Sequence, residues 1–243
     1  MSYKVHVIDV KNALKNYIWL VEHCPSQDVV VIDPTEATLV EDYCQQHHLH
    51  ISQIWLTHWH KDHVGGAPEL LKTRSIAVYG PALEQHKIPF ITHPVQQDAQ
   101  IYFHDLKVDV LSIPGHTLGH IAFYAKGIQS LFCGDTLFAM GCGRIFEGTA
   151  QQMYQSLQQL AALPADTLVY CSHEYTLSNA MFAIHLDPDN SALQQRFAQV
   201  QQLQQQAQIT LPSSIALERA TNPFLRVQNS EELAHIRQLK DQF

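Results

Sequence analysis

The stretch THWHKDHVGG, Thr57 to Gly66, decides how the rest of the chain is read. Three histidines and an aspartate fall within positions 58 to 63. Side chains of metal-ligand type seldom crowd together by accident, and isolated histidines usually have other uses. The run before them, Ile51 to Leu56, is apolar and rich in Ile, Trp and Leu, the pattern of a buried strand ending at Thr57. The donors therefore sit at a strand's carboxyl end. His58 and His60, two apart in an extended turn, can converge on one ion, while Asp62 and His63 open the next turn and face a neighbouring point. Two ions are implied. Gly65 and Gly66 allow a tight fold beneath the site, and Pro68 suits the first turn of a following helix.

Four donors cannot complete two ions, so the chain must supply more. Downstream, PGHTLGH (Pro114 to His120), FCGDTLF (Phe132 to Phe138) and YCSHEYT (Tyr170 to Thr176) each follow an apolar, strand-like run and carry a histidine or aspartate in a turn. The candidates are His116, Asp135 and His173. His120 reads as a strand-start residue and is not counted as a ligand. In this arrangement the chain resembles the metallo-β-lactamase superfamily, whose HxHxDH signature and three later ligands are matched in the same order over roughly residues 1 to 175. The resemblance implies an α+β fold, a four-layer αββα sandwich. The donors divide into His58, His60 and His116 on one ion and Asp62, His63 and His173 on the other, with Asp135 bridging. Each ion keeps an open position, the mark of a catalytic site.

Length and composition bound the remaining possibilities. The 243 residues suffice for one large domain or for a domain with an appendage. Fifteen Lys and Arg against 23 Asp and Glu, a formal charge of -8, disfavour a protein that tracks nucleic-acid phosphates. The opening MSYKVHVIDV reads as a strand without the apolar core of a signal peptide, and no stretch reaches the length of a membrane span. A soluble, cytoplasmic protein is expected. The five cysteines lack CxxC spacing, so reduced thiols are the default. Cys133 and Cys171, each two residues before a candidate ligand, read as small buried strand residues.

Along the chain, Val5 to Val10, Tyr17 to Glu22 and Val29 to Ile32 form a meander of short β-rich runs. Asp33-Pro34 closes the third, with Asp33 read as a turn cap in preference to a support for the metal loop. Thr35 is placed to cap a helix from about Glu36 to His48, with Leu39, Val40 and Tyr43 inward and His47, His48 and His50 towards solvent. Further strands fall at Ile76 to Tyr79, Ile101 to Phe103, Leu106 to Ile113, Ile121 to Ala125, Ser130 to Cys133 and Leu168 to Cys171. Two β-rich runs interrupted by helices suggest two sheets face to face with helices outside. Thr149 and Gln152 have capping-box spacing ahead of a helix that turns Leu157 and Leu160 inward. Beyond His173 only helical patterns follow: one marked by Leu177, Met181 and Ile184, one by Leu193, Phe197, Val200 and Leu203, and a last from Asn229 to Lys240 with Glu232 completing a capping box. This places a boundary near residue 175, with 1–175 a catalytic domain and 176–243 an all-helical domain.

Four stretches, GCGRIFEGT (Gly141 to Thr149), His173-Glu174-Tyr175, NPFLRV (Asn222 to Val227) and IRQLKDQF (Ile236 to Phe243), together with the helical tail, resemble glyoxalase II, the hydroxyacylglutathione hydrolases. That resemblance runs nearly the full length. It implies hydrolysis of S-(2-hydroxyacyl)glutathione, such as S-D-lactoylglutathione, to glutathione and a 2-hydroxy acid such as D-lactate, the second step of methylglyoxal detoxification. It implies two divalent ions, zinc first and iron or manganese as alternatives, in a monomer. Asp62 and Asp135 would then position the ions and a water, while Arg144, Phe146, His173, Tyr175, Arg237 and Lys240 hold the substrate. The family often has a tyrosine where this chain has Phe146 and a lysine where it has Arg144, which alters how the glycine carboxylate is held. Without the resemblance, Arg237 and Lys240 read as surface cations favoured by a helix C-terminus. Four other readings stand beside this one: a β-lactam or lactone hydrolase of the same superfamily, a persulfide dioxygenase carrying a single iron, a metal-dependent nuclease, disfavoured by the acidic balance, and a non-catalytic metal-binding or regulatory protein, disfavoured by the open coordination positions.

Overall fold

Short apolar runs broken by Asn, Asp, Ser and Pro make the first half of the chain a succession of strands, and a computed structural model, which describes residues 2–243, shows how they associate. Two compact units emerge: the segment up to Ser112 together with Gly119–Ile128, and Ile113–Leu118 together with Gln129–Phe243. The first unit contains β1 (Tyr3–Asp9), β2 (Tyr17–His23), β3 (Asp28–Ile32), α1 (Ala37–His47), β4 (His50–Trp55), the short helices α2 (Lys61–Val64) and α3 (Ala67–Leu70), β5 (Ala77–Pro81), β6 (His93–Val95), β7 (Gln100–Phe103), β8 (Leu106–Ser112) and β9 (Ile121–Ala125). Strands β1 to β6 lie in sequence order in one sheet. The pairs β1/β2 and β2/β3 are antiparallel, while β3/β4, β4/β5 and β5/β6 are parallel. Strands β7, β8 and β9 pair antiparallel in turn.

Both faces of the first sheet are covered. Ile18, Leu20, Val29, Val31 and Ile54 point to the side where Val40 and Cys44 of α1 pack. Their neighbours turn the other way, and Trp55 stacks there on Phe123 of β9 with ring centroids 5.1 Å apart. Strands buried on two sides read as continuous apolar runs, which is why β2 and β3 lack clean alternation. Thr35 does not cap α1. Glu36 occupies the N-cap without a side-chain bond, and the Thr35 hydroxyl is buried with no hydrogen-bond partner. The expected single helix after the donor loop is two short ones, with Pro68 in the first turn of α3. Gly66 is needed between them for space: a Cβ would lie 2.7 Å from the Ala37 nitrogen and 2.8 Å from the Pro34 oxygen.

The second unit contains β10 (Ser130–Gly134), the hairpin β11 (Leu137–Phe138) and β12 (Gly141–Cys142), α4 (Ala150–Ala161), β13 (Leu168–Cys171), α5 (Thr176–Leu186), α6 (Ser191–Gln205), β14 (Ser213–Ser214), α7 (Ile215–Thr221), α8 (Pro223–Arg226) and α9 (Ser230–Gln242). β13 pairs parallel with β10 and antiparallel with β14. The Thr149–Gln152 capping box opens α4 as its spacing predicts. At α9, Asn229 accepts from the Glu232 amide, but the Glu232 carboxylate takes the Gln228 amide and leaves the box incomplete. Met181 is 50% exposed, against expectation, because α5 turns Ala180 and Ala183 onto Met140, Leu193 and Val200. That face is small-sided, so a hydrophobicity pattern reads past it.

Phe123 has no exposed surface and fills the space against Trp55. Phe123→Ala should therefore cost about 3–5 kcal/mol of stability, transfer and cavity together, in urea unfolding. A loss below about 1 kcal/mol would show that this stack does not hold the two sheets of the first unit together.

Candidate metal centre

In the first unit the donor loop leaves β4 between two neighbouring strands: Leu56 donates to the Tyr79 carbonyl at 2.9 Å, and Thr57 accepts from the Ile121 amide at 2.9 Å. Asp33 follows β3 in the left-handed conformation, φ 49°, which aspartate tolerates better than most residues. Its placement makes it the pivot of the site. Oδ1 accepts from the Thr57 amide at 2.8 Å, and Oδ2 accepts from the Thr57 hydroxyl at 2.7 Å and from His63 Nδ1 at 2.9 Å. The Thr57 oxygen in turn accepts from His58 Nδ1 at 3.0 Å. Asp33 thus supports the metal loop and is not a turn cap. Both imidazoles have Nδ1 committed, so each presents Nε2 as a donor, the arrangement in which a neighbouring polar group fixes the tautomer of a ligating histidine.

His58 Nε2 lies 3.0 Å from His60 Nδ1, and Asp62 Oδ2 lies 3.4 Å from His63 Nε2. The donor atoms of Asp33, His58 and His63 all fall within 4.8 Å of one another, in full burial. Two residues outside the motif complete the frame. Buried Asn16 donates to Asp62 Oδ2 at 3.0 Å. His120 stacks on His58, centroids 4.5 Å apart and planes at 17°, while its Nδ1 sits 3.1 Å from the Ile121 carbonyl. No spacing in the sequence points to Asn16, which stands in a polar turn before β2. His120, read from the sequence as a strand-start residue, stands just before β9 and packs on a candidate donor.

The second unit gathers the other three predicted donors. Asp135 follows β10, His173 follows β13, and His116 sits in the segment Ile113–Leu118. Asp135 Oδ2 lies 3.2 Å from His173 Nε2 and 3.5 Å from His116 Nε2, all three residues being buried. His116 Nδ1 donates to the Arg144 carbonyl at 2.7 Å, again leaving Nε2 as the donor. Cys133 and Cys171 are fully buried thiols whose pKa burial drives up, and Cys133 donates to the Leu137 carbonyl at 3.2 Å. Buried nitrogen and carboxylate donors without thiolate suit divalent ions such as zinc, iron(II) or manganese, and the residues present fit such ions.

The same unit carries the residues expected to meet substrate. Tyr175 lies parallel on His173 at 4.8 Å, and Phe146, 62% exposed, lies 5.2 Å from His116. Arg144 projects to solvent with Nε 3.4 Å from Asp241. Lys240 donates to the Ser178 carbonyl at 2.9 Å and rests on the rings of Phe182 and Phe243; burial first, then Arg237, lowers its pKa to about 8. Arg237 is only 8% exposed, and its guanidinium donates to the Cys142 carbonyl at 2.8 Å and to Asp241 at 3.0 Å. Glu174 accepts from the Thr210 amide at 2.9 Å and hydroxyl at 2.6 Å, a tie between segments of this unit.

Residues 12–173 match the family model of the metallo-beta-lactamase superfamily, and residues 174–243 match that of the hydroxyacylglutathione hydrolase C-terminus. The fold and donors define a metallo-beta-lactamase-type metalloprotein. A hydroxyacylglutathione hydrolase of Nitrosomonas eutropha is 52% identical over 224 residues, 91% of this chain and 86% of that protein. One from Shewanella baltica is 49% identical over 229 residues, 92% of this chain and 86% of its own. The crystal structure of BLEG-1 B3 metallo-beta-lactamase superposes with a TM-score of 0.71 at 20% identity, covering 92% of this chain and all of that one. The chain belongs to the hydroxyacylglutathione hydrolase family.

Asp33→Ala removes the acceptor that pins two imidazoles at once. Affinity for zinc, followed by chelator competition, should fall about 10- to 100-fold. Parent affinity in the folded variant would show that the Asp33 contacts do not orient the donors.

Proposed function

We propose that the protein hydrolyses the thioester of S-(2-hydroxyacyl)glutathione, S-D-lactoylglutathione among them, to glutathione and a 2-hydroxy acid, the second step of methylglyoxal detoxification. The stacking of Tyr175 on His173 carries this reading, because it joins a substrate-facing ring to a metal donor within one unit. Family membership supplies the substrate class. In this reading His58, His60 and His116 would hold one divalent ion, Asp62, His63 and His173 would hold the second, and Asp135 would serve both. When bound, such ions acidify a coordinated water and polarise a carbonyl.

The chain's own residues do the rest. Asp135 and Asp62 orient the donors around them and accept from the attacking water. The departing thiol has a pKa near 8.5, so a thiolate leaves without a dedicated acid. Exposed Phe146 and the Tyr175 ring give the peptide a flat apolar wall. Arg144 offers a planar fork to a carboxylate, and Lys240 offers a point charge. Arg237, buried and already bonded to Cys142 and Asp241, acts from behind Lys240 and not on substrate directly. All five cysteines are free thiols, as suits a cytoplasmic enzyme. No helix among the described residues is long and apolar enough to cross a membrane.

Metal-replete protein should turn over lactoylglutathione without oxygen uptake; failure to do so would overturn the reading. Asp135→Asn should lower metal occupancy and hydrolysis together, and full activity with metal retained would remove Asp135 from the site. Lys240 gives a pH signature. Its folded-state pKa lies below the ordinary lysine value, so the ammonium is lost as pH rises through about 8. KM should rise across that interval while Lys240→Arg flattens the rise, and a KM independent of pH in the parent would reject the lysine as a substrate contact.

A further inference from the structure

The hairpin β11–β12 joins Asp135 to Arg144, and its backbone is enclosed: Leu137, Phe138, Ala139, Met140 and Cys142 are all buried. A two-stranded hairpin has no flanking strands to take its outward carbonyls, and buried backbone groups must find partners. Here they find side chains from the helical tail. Asn222 Nδ2 donates to the Phe138 carbonyl at 3.1 Å and to the Gly141 carbonyl at 2.9 Å. Asn179 Nδ2 donates to the Ala139 carbonyl at 3.1 Å, and Arg237 donates to the Cys142 carbonyl. Glu218 Oε2 accepts from the Met140 amide at 2.8 Å and from Asn222 at 2.9 Å. Met140 sits at φ 54°, a conformation that costs an L-residue about 1–2 kcal/mol and persists only where surroundings hold it.

The clamp is itself braced. Glu218 has no exposed surface, and its other oxygen accepts from Arg196 at 2.6 Å and from the Ser213 hydroxyl. At the far end of the hairpin the tolerance is small. A Cβ on Gly143 would lie 1.9 Å from the Asp135 carbonyl oxygen and 3.3 Å from His116 Nδ1. The next carbonyl, Arg144, is the one that fixes the His116 tautomer. A shift of the hairpin therefore moves the backbone at Asp135 and the acceptor of His116 together.

We propose that Asn222 and Glu218, with Asn179 and Arg237, are positioning residues for the metal centre: the helical tail sets the geometry of Asp135 and His116 through the backbone of residues 137–144. The tail then belongs to the metal site's frame as well as to the substrate site. This rests on the assignment of Asp135 and His116 as ligands.

Asn222→Ala in the full chain tests the clamp. It strips two hydrogen bonds from the hairpin and touches no donor. Zinc affinity of the metal-free protein should fall about 10- to 100-fold, as for other residues that orient ligands. With excess zinc, kcat should fall while KM stays near the parent value. Amide exchange at 138–142 should quicken while β1 to β6 keep their protection. Parent zinc affinity and kcat, or unchanged exchange at 138–142, would overturn the clamp. If Asn222→Ala fails to fold, Asn179→Ala removes a single hydrogen bond and should show the same pattern at smaller amplitude, with the same overturning result. Asp135→Asn measured alongside separates the two premises. Parent zinc affinity there would overturn the ligand assignment and the clamp with it, whereas a loss there with none in Asn222→Ala would overturn the clamp alone.

Discussion

A buried carboxylate must be neutralised or fully hydrogen-bonded, and Asp33 meets that demand with the groups that define the metal loop. It has four acceptor sites and gives three of them to Thr57 N–H, Thr57 O–H and His63 Nδ1. Through the Thr57 oxygen it also sets His58. Sequence separation makes the link informative. Asp33 ends one strand and Thr57 ends the next, and β3 and β4 run parallel, so the register of that pair brings the carboxylate beside the loop. The core that aligns the strands, Val29 and Val31 against Ile54 beneath α1, thereby fixes the tautomers of two histidines.

The second unit solves the same problem in another way. Its donors follow β10 and β13, which pair parallel, with a register shift between Phe132 and Gly134 just ahead of Asp135. Such irregularities re-aim side chains at the ends of strands. What strand pairing cannot reach, the hairpin after Asp135, is held by amide and carboxylate side chains from α5, α7 and Asn222. In one unit a carboxylate orients one imidazole directly and another through a hydroxyl; in the other, side chains orient a backbone that orients the imidazole.

This difference explains what could be read from the sequence. The grouping of the candidate donors was legible, since histidine and aspartate at the ends of apolar runs have a recognisable spacing, and the geometry groups His58 with His60, and Asp135 with His116 and His173. The residues that orient them were not. Asp33-Pro34 looks like any turn and Asn16 like any loop asparagine, while NPFLRV stands out only by its family resemblance, which does not show what Asn222 bonds to; Asn222 also accepts from the Phe224 amide at 3.0 Å. A side chain's service to a distant backbone carbonyl leaves no periodic mark. Met181 differs for a related reason: Ala180 and Ala183 take the places of α5 that pack on Met140, Leu193 and Val200, and pattern reading weighs size.

Substrate choice and chemistry are usually assigned to separate parts of such a protein, the strand ends for one and the appended helices for the other. The contacts of residues 137–144 argue against a clean division. Arg237 is carried on the same helix as Lys240, yet its guanidinium is spent on a hairpin carbonyl, and Arg144 gives its side chain to Asp241 of that helix while its carbonyl serves His116. A substitution in α9 that altered the pocket would therefore also pull on the acceptor of a metal donor. Specificity in this fold cannot be changed by swapping the tail without restoring four hydrogen bonds to the hairpin carbonyls, those of Phe138, Ala139, Gly141 and Cys142.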